Sequence, residues 1–131
     1  KCPIELNSNA IDEFLIIFLI ASKASGVSYF KKLEELNKKE SPRLKLASMI
    51  LKKMGVKTVT SKDSIKIFGN PNLKVNKKIL INNFYKDHRI FMTSVIAALC
   101  FGGEWTIEDA ESHMSSFPSF LRILREIGCK F

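Results

Sequence analysis

The feature that most constrains this chain is that one pattern is written twice, over Asp12 to Gly55 and again over Asp87 to Gly128. Each copy runs through an acidic opening, an apolar stretch of helical length, a glycine and a short β-branched or aromatic stretch. A connection, a Ser/Pro helix start, a second helical stretch and a Met/Ile-Gly end then complete it. Repeated helix–strand–helix–strand units imply an α/β architecture in which each copy relies on its neighbour to bury its apolar face. The chain starts mid-pattern, without a clear opening strand, and so reads as part of something longer.

Within the first copy, Asp12 to Ser25 has the composition of a buried helix, opened by Asn9 or Asp12 and ended by Gly26. Val27 to Leu33 reads as a strand and the stretch to Lys39 as a connection. Ser41-Pro42 should open the next helix, the hydroxyl capping free N–H groups and the proline pre-set at the first helical position. That helix carries Leu44, Leu46, Ala47, Ile50, Leu51 and Met54 largely at i, i+3, i+4 spacing and stops at Gly55. Val56 to Thr60 and Ile65 to Phe68 alternate in strand fashion around a turn-like Ser61-Lys62-Asp63-Ser64, predicting a hairpin.

Ile79 to Ile81 predicts a short strand ahead of the second copy. Ile90 to Phe101 is apolar nearly all round and predicts a core helix that includes Cys100. Trp105 to Ile107 then gives a strand, Glu108 to Met114 a connection, and Ser116-Phe117-Pro118 a last helix ending at Gly128. Trp105 is expected to pack, Tyr85 to be structural, and His113 is given no role.

The composition limits what such a domain does. A chain of 131 residues, 46% of them hydrophobic, supports one globular domain. Its longest apolar stretch, Phe14 to Ala21, falls short of the roughly 18 to 20 residues a membrane span needs. No signal peptide is visible in Lys1 to Glu13. Cys2, Cys100 and Cys129 are odd in number and widely spaced, which predicts neither disulfides nor a zinc site and points to the reducing cytoplasm. The net charge is +8, yet 17 of the 21 basic residues are lysines scattered along the chain, so neither nucleic acid nor membrane is the expected partner.

Two charged clusters stand at predicted helix starts: Lys39-Glu40-Ser41-Pro42-Arg43 and Asp87-His88-Arg89. A helix start offers unpaired N–H groups and the positive end of the macrodipole, so added basic side chains make a grip for phosphate or carboxylate. Arg43 and Arg89 are the candidate clamps, and Glu40 and His88 can move a proton. In stacked units the helix starts tend to lie at one end, so the clusters are expected to converge, with Asp12 at the same end. The plainer reading makes Asp87 an N-cap, Arg89 a surface ion pair and His88 exposed, with Lys39 and Glu40 solvated loop charges and Arg43 outward on its helix.

Several ordered motifs carry a family likeness. Ile11-Asp12-Glu13, the Lys-Glu-Ser-x-Arg core of Leu36 to Leu44, Asp87-His88-Arg89-Ile90-x-Met92, and Ser116-Phe117-Pro118-x-Phe120 running on to Gly128 resemble the C-terminal part of the 5-enolpyruvylshikimate-3-phosphate synthases. The resemblance implies a partial domain built of two repeated βαβαββ-type units of the enolpyruvyl transferase inside-out α/β barrel, near residues 1–76 and 77–131. It also implies enolpyruvyl transfer from phosphoenolpyruvate to the 5-hydroxyl of shikimate-3-phosphate, in aromatic amino acid biosynthesis, with no metal or organic cofactor. By matched position, Asp12 would bind the shikimate ring hydroxyls and is a candidate base. Lys39 would touch shikimate-3-phosphate, Arg43 and Arg89 would hold phosphoenolpyruvate, Glu40 would serve in proton transfer, and His88 would adjoin the reacting end.

The chain departs from the family pattern at four places: Asn37 for an arginine, Pro42 for an aspartate, Lys86 for a glycine, and Ser115-Ser116 for a lysine before Phe-Pro. The family enzyme has two domains of three units each, with the site in the cleft between them. The expectation is therefore a fragment inactive alone, with self-association or a missing N-terminal domain as its partner. The alternatives are a non-catalytic anion-binding or structural module derived from this fold and, more remotely, a basic nucleic-acid binder.

Overall fold

The computed structural model describes residues 13–39 and 41–131. Helix α1 (Phe14–Lys23) leads into strand β1 (Val27–Phe30), a 3₁₀ segment (Glu34–Lys38) and helix α2 (Arg43–Lys53). Strands β2 (Lys57–Thr60), β3 (Ile65–Phe68) and β4 (Lys78–Ile81) follow. The second copy is helix α3 (His88–Phe101), strand β5 (Glu104–Ile107), a 3₁₀ segment (Ala110–Ser115) and helix α4 (Phe120–Glu126). The order helix, strand, 3₁₀ segment, helix thus occurs twice.

Both copies end their second helix in the same way. At α2 the Gly55 N–H reaches the Lys52 carbonyl at 3.0 Å and Val56 N–H reaches Leu51 at 2.9 Å; at α4, Gly128 bonds Arg125 at 3.1 Å and Cys129 bonds Leu124 at 3.0 Å. This is the Schellman closure, which needs a left-handed residue just past the helix, at the next-to-last position of the motif. Gly55 (φ 91°) and Gly128 (φ 107°) provide it.

The predicted hairpin is present. β2 and β3 pair antiparallel from Lys57↔Phe68 to Thr60↔Ile65, and β1 pairs antiparallel with the other edge of β3, placing β3 in the centre. β4 and β5 pair in parallel from Lys78↔Glu104 to Ile81↔Ile107, with α3 as the crossover that a parallel pair requires. Helices α1, α2 and α3 meet under the three-stranded sheet, where Phe14, Phe18 and Phe30 form a cluster with ring centroids 5.3 to 5.8 Å apart. Ile65 and Ile67 alternate inward from β3 and are fully buried, consistent with a strand half-covered by helices. Gly69 lies where β3 crosses the end of α1, and a Cβ there would run into the Ala24 carbonyl oxygen.

Several local expectations are corrected. The first strand stops at Phe30, and Leu33 and Leu36 are instead buried around a 3₁₀ segment. The second connection is also 3₁₀, and the last helix begins at Phe120 rather than at the Ser116-Phe117-Pro118 turn. Pro42 is the cap of α2, and Arg43 its first helical residue. Helix α3 is not buried all round: Cys100 is exposed, as is the edge of Leu99. Apolar composition had hidden which face the rest of the fold would cover. No helix among the described residues is long and apolar enough to cross a membrane.

Candidate functional site

The two charged clusters do converge. Ser41 and Arg43, at the start of α2, lie against Asp87, at the start of α3. Ser41 Oγ donates to Asp87 Oδ2 at 2.7 Å; Arg43 donates from Nε to Oδ2 at 2.8 Å and from Nη2 to Oδ1 at 3.2 Å. The other side of Oδ1 accepts the backbone N–H groups of Arg89 (2.9 Å) and Ile90 (3.4 Å), so Asp87 is the N-cap of α3. A carboxylate accepting from a cation, a hydroxyl and two peptide groups is fully satisfied.

Asp87 and Arg43 are 0% and 2% exposed. Burial pushes the Asp87 carboxyl up, but the hydrogen bonds from Arg43 and Ser41, the Arg43 charge and the Arg89 N–H together outweigh it and hold its pKa below the ordinary value. The anion sitting at the paired helix starts is therefore the protein's own. The expectation of unpaired N–H groups at both starts is corrected. Those of α3 are taken by Asp87, and at α2 the Leu44 and Lys45 N–H groups go to Asn37 Oδ1 at 3.2 and 3.4 Å. Ser41, expected to cap α2, bonds Asp87 instead.

The remaining candidates fall into two groups, those among the described residues and those outside them. Arg89, with a side chain 34% exposed, reaches Glu13 Oε1 at 3.3 Å, as the plainer reading expects. His88 is half-buried at the first position of α3, and Lys39 is half-buried in the connection before α2. Asp12 and Glu40 lie outside the described residues. Tyr85 and Lys86 are exposed, and Lys86 lies 3.8 Å from Glu111. Lys86 stands at φ 52°, a left-handed conformation that glycine adopts without cost. The glycine that the resemblance places here would suit that conformation.

Two residues escaped the sequence reading. Asn37 caps a helix seven positions away, and no local spacing rule signals such a contact. His113 is buried, stacked 5.4 Å from Phe91, with Nδ1 against the Ala110 carbonyl oxygen, and serves the core of the second copy. Among the described residues no group of three or more His, Cys, Asp or Glu could hold a metal.

The comparison with known families decides what this frame belongs to. The family described as EPSP synthase (3-phosphoshikimate 1-carboxyvinyltransferase) matches residues 3–124. The chain belongs to the EPSP synthase family. A 3-phosphoshikimate 1-carboxyvinyltransferase of Thermodesulfovibrio yellowstonii is 40% identical over 87% of the chain, and that of Zymomonas mobilis is 35% identical over 98%. The chain spans 26% and 29% of the lengths of those two relatives. The solved EPSP synthase of Acinetobacter baumannii superposes with a TM-score of 0.77 at 27% identity, covering 95% of this chain and 28% of that one. An enolpyruvyl transferase of Streptomyces tendae, at 16% identity and a TM-score of 0.68, shares the fold over 91% of this chain and 25% of its own. The mixed helix-and-strand structure is thus a partial domain of the enolpyruvyl transferase fold.

Proposed function

We propose that this chain is the portion of an EPSP synthase that forms one wall of the site where enolpyruvyl passes from phosphoenolpyruvate to shikimate-3-phosphate. The observation that carries the proposal is the meeting of the two family motifs, Lys-Glu-Ser-x-Arg and Asp-His-Arg, through Ser41, Arg43 and Asp87. Arg89 offers a partly exposed guanidinium to the phosphoenolpyruvate anion, and Arg43 adds its charge from behind. Lys39 and Asp12 serve shikimate-3-phosphate, Asp12 as candidate base, while Glu40 carries protons and His88 adjoins the reacting end. Residues near 1–76 and 77–131 are taken as two repeat units of one partial domain, working in the cytoplasm.

The residue types suit the chemistry. The 5-hydroxyl oxygen bonds to C2 of phosphoenolpyruvate as that hydroxyl loses its proton and the methylene carbon gains one. The C2–O bond to phosphate then breaks, and a proton leaves the methyl group to restore the double bond. Protons and phosphate move but no electrons are exchanged, so positioned carboxylates and cations suffice.

Because the chain spans under a third of its relatives' length, it is expected to release no phosphate from phosphoenolpyruvate in a shikimate-3-phosphate-dependent way; turnover by the purified chain would overturn this. Calorimetric titration should show phosphoenolpyruvate binding with a dissociation constant on the order of 1 mM, lost in Arg89→Ala. One observation favours the second reading, a structural module: Arg43 and Arg89 each already have a carboxylate partner in Asp87 and Glu13. Absence of heat with either ligand would decide for it.

The exposed Ile16 and Ile20 of α1 border a groove of about 550 Å³ with Ile96 and Cys100 of α3. This apolar surface supports self-association, or cover by the remainder of a longer synthase. Sedimentation at rising concentration should show dimers or aggregates, and a monomer with a sharp two-state melt would count against it.

A further inference from the structure

We infer that Asp87 is a positioning residue for this site, the group that holds Arg43 and the first turn of α3 in one frame so that Arg43 and Arg89 address a single anion. The inference rests on the proposed anion-holding role of those two arginines. Asp87 is fully buried, so its action on a ligand passes through its neighbours.

Both carboxylate oxygens hold Arg43, and Oδ1 also holds the first turn of α3. Oδ2 takes Ser41 Oγ and Arg43 Nε from the start of α2, and Oδ1 takes Arg43 Nη2 together with the Arg89 and Ile90 N–H groups. The two-point contact removes the torsional freedom of a long side chain and fixes the plane of the guanidinium. The same carboxylate anchors the backbone from which Arg89 projects. A shift of Asp87 therefore moves both arginines at once.

Capping alone does not explain these partners. A helix start is capped as well by Asn as by Asp, and Oδ1 by itself meets the N–H groups of Arg89 and Ile90. Enclosing a guanidinium to reach Oδ2 carries a desolvation cost that a cap does not require. Ser41 adds a further bond to the same oxygen, as expected where the orientation of that carboxylate matters. Misplacement of a binding group by about 1 Å costs up to a hundredfold in function, which gives such a frame its value.

The test follows the Nε–Hε signals of Arg43 and Arg89 by NMR while phosphoenolpyruvate is added to the full chain, with inorganic phosphate as the comparison ligand. In the unaltered chain both signals should move with one dissociation constant. In Asp87→Asn, which keeps an acceptor for the α3 cap, affinity should fall about tenfold and the Arg43 signal should no longer follow that of Arg89. Ser41→Ala, the gentler change, should weaken binding about threefold with the amide spectrum intact. A folded Asp87→Asn that binds like the unaltered chain overturns the positioning role while leaving the ligand assignment standing. If Asp87→Asn does not fold, unchanged affinity in Ser41→Ala overturns it. No response in the unaltered chain to either ligand overturns both the assignment and the inference.

Discussion

The Arg43 guanidinium grips the Asp87 carboxylate at two points, Nε to Oδ2 at 2.8 Å and Nη2 to Oδ1 at 3.2 Å, across 44 residues of sequence. Neither side chain is more than 2% exposed. The pair joins the start of α2 to the start of α3, and so joins the two copies of the repeat. Its strength lies less in net attraction than in the penalty for separating it.

That penalty can be measured. Asp87→Ala should lower the unfolding free energy by about 3–5 kcal/mol, because it leaves a buried guanidinium without its counter-charge and uncaps α3. Adding Arg43→Met should return a large part of the loss, giving a coupling energy of more than about 1 kcal/mol in a double-mutant cycle. Urea denaturation of the four proteins tests this, and additive losses would show that the pair is not coupled.

The same carboxylate gives stability an acid limb. Its folded pKa is below the unfolded value, so the folded state holds fewer protons as the unfolded chain begins to take them up. The contribution is complete above the ordinary carboxylate range near about pH 4 and is lost as pH falls through the lower folded pKa. Melting temperatures measured downward from pH 6 should therefore fall less steeply in Asp87→Asn than in the unaltered chain. Parallel profiles would remove Asp87 as the source.

Asn37 contributes through the α2 cap. Asn37→Ala should cost about 1 kcal/mol by releasing the Leu44 and Lys45 N–H groups, whereas Asn37→Asp should keep the cap and gain about 0.3 kcal/mol from the helix dipole, offset by loss of the exposed 3.4 Å bond that Nδ2 donates to the Lys62 carbonyl, for little net change. Thermal melts followed by circular dichroism distinguish the two, and equal effects would deny the cap.

Lys86 holds a backbone conformation that costs a side-chain-bearing residue about 1–2 kcal/mol. Lys86→Gly should relieve that strain, offset in part by greater freedom of the unfolded chain and by loss of the exposed contact with Glu111, for a net gain of about 0.5 kcal/mol. Lys86→Val should destabilise by about 1 kcal/mol or more, since branching at Cβ is least compatible with positive φ. Chemical denaturation gives both values.

Much of the local structure was legible because it follows from short-range rules. Alternation in Lys57 to Thr60 and Ile65 to Phe68 marks the hairpin, and glycine at 55 and 128 marks the helix ends that the Schellman bonds close. The motif order also carried the family likeness. Less legible were the edges: a Ser-Pro pair suggests a cap, but at Ser41 a buried carboxylate from the other copy competes for the hydroxyl and wins. Cys100 sits in an apolar run, and sequence period alone does not say which side of α3 its neighbours cover.

The sequence by itself determined the order of the main helices and strands and the presence of two charged helix starts, because periodicity, capping residues and glycine act within a few positions. Tertiary structure alone decided who satisfies whom. It brought Asn37 to the N–H groups of α2, and it gave Asp87 to Ser41, Arg43 and the α3 start together. The physical reason is that a buried charge must find its counter-charge and hydrogen bonds wherever the fold brings them within about 3 Å, and no local spacing encodes that meeting.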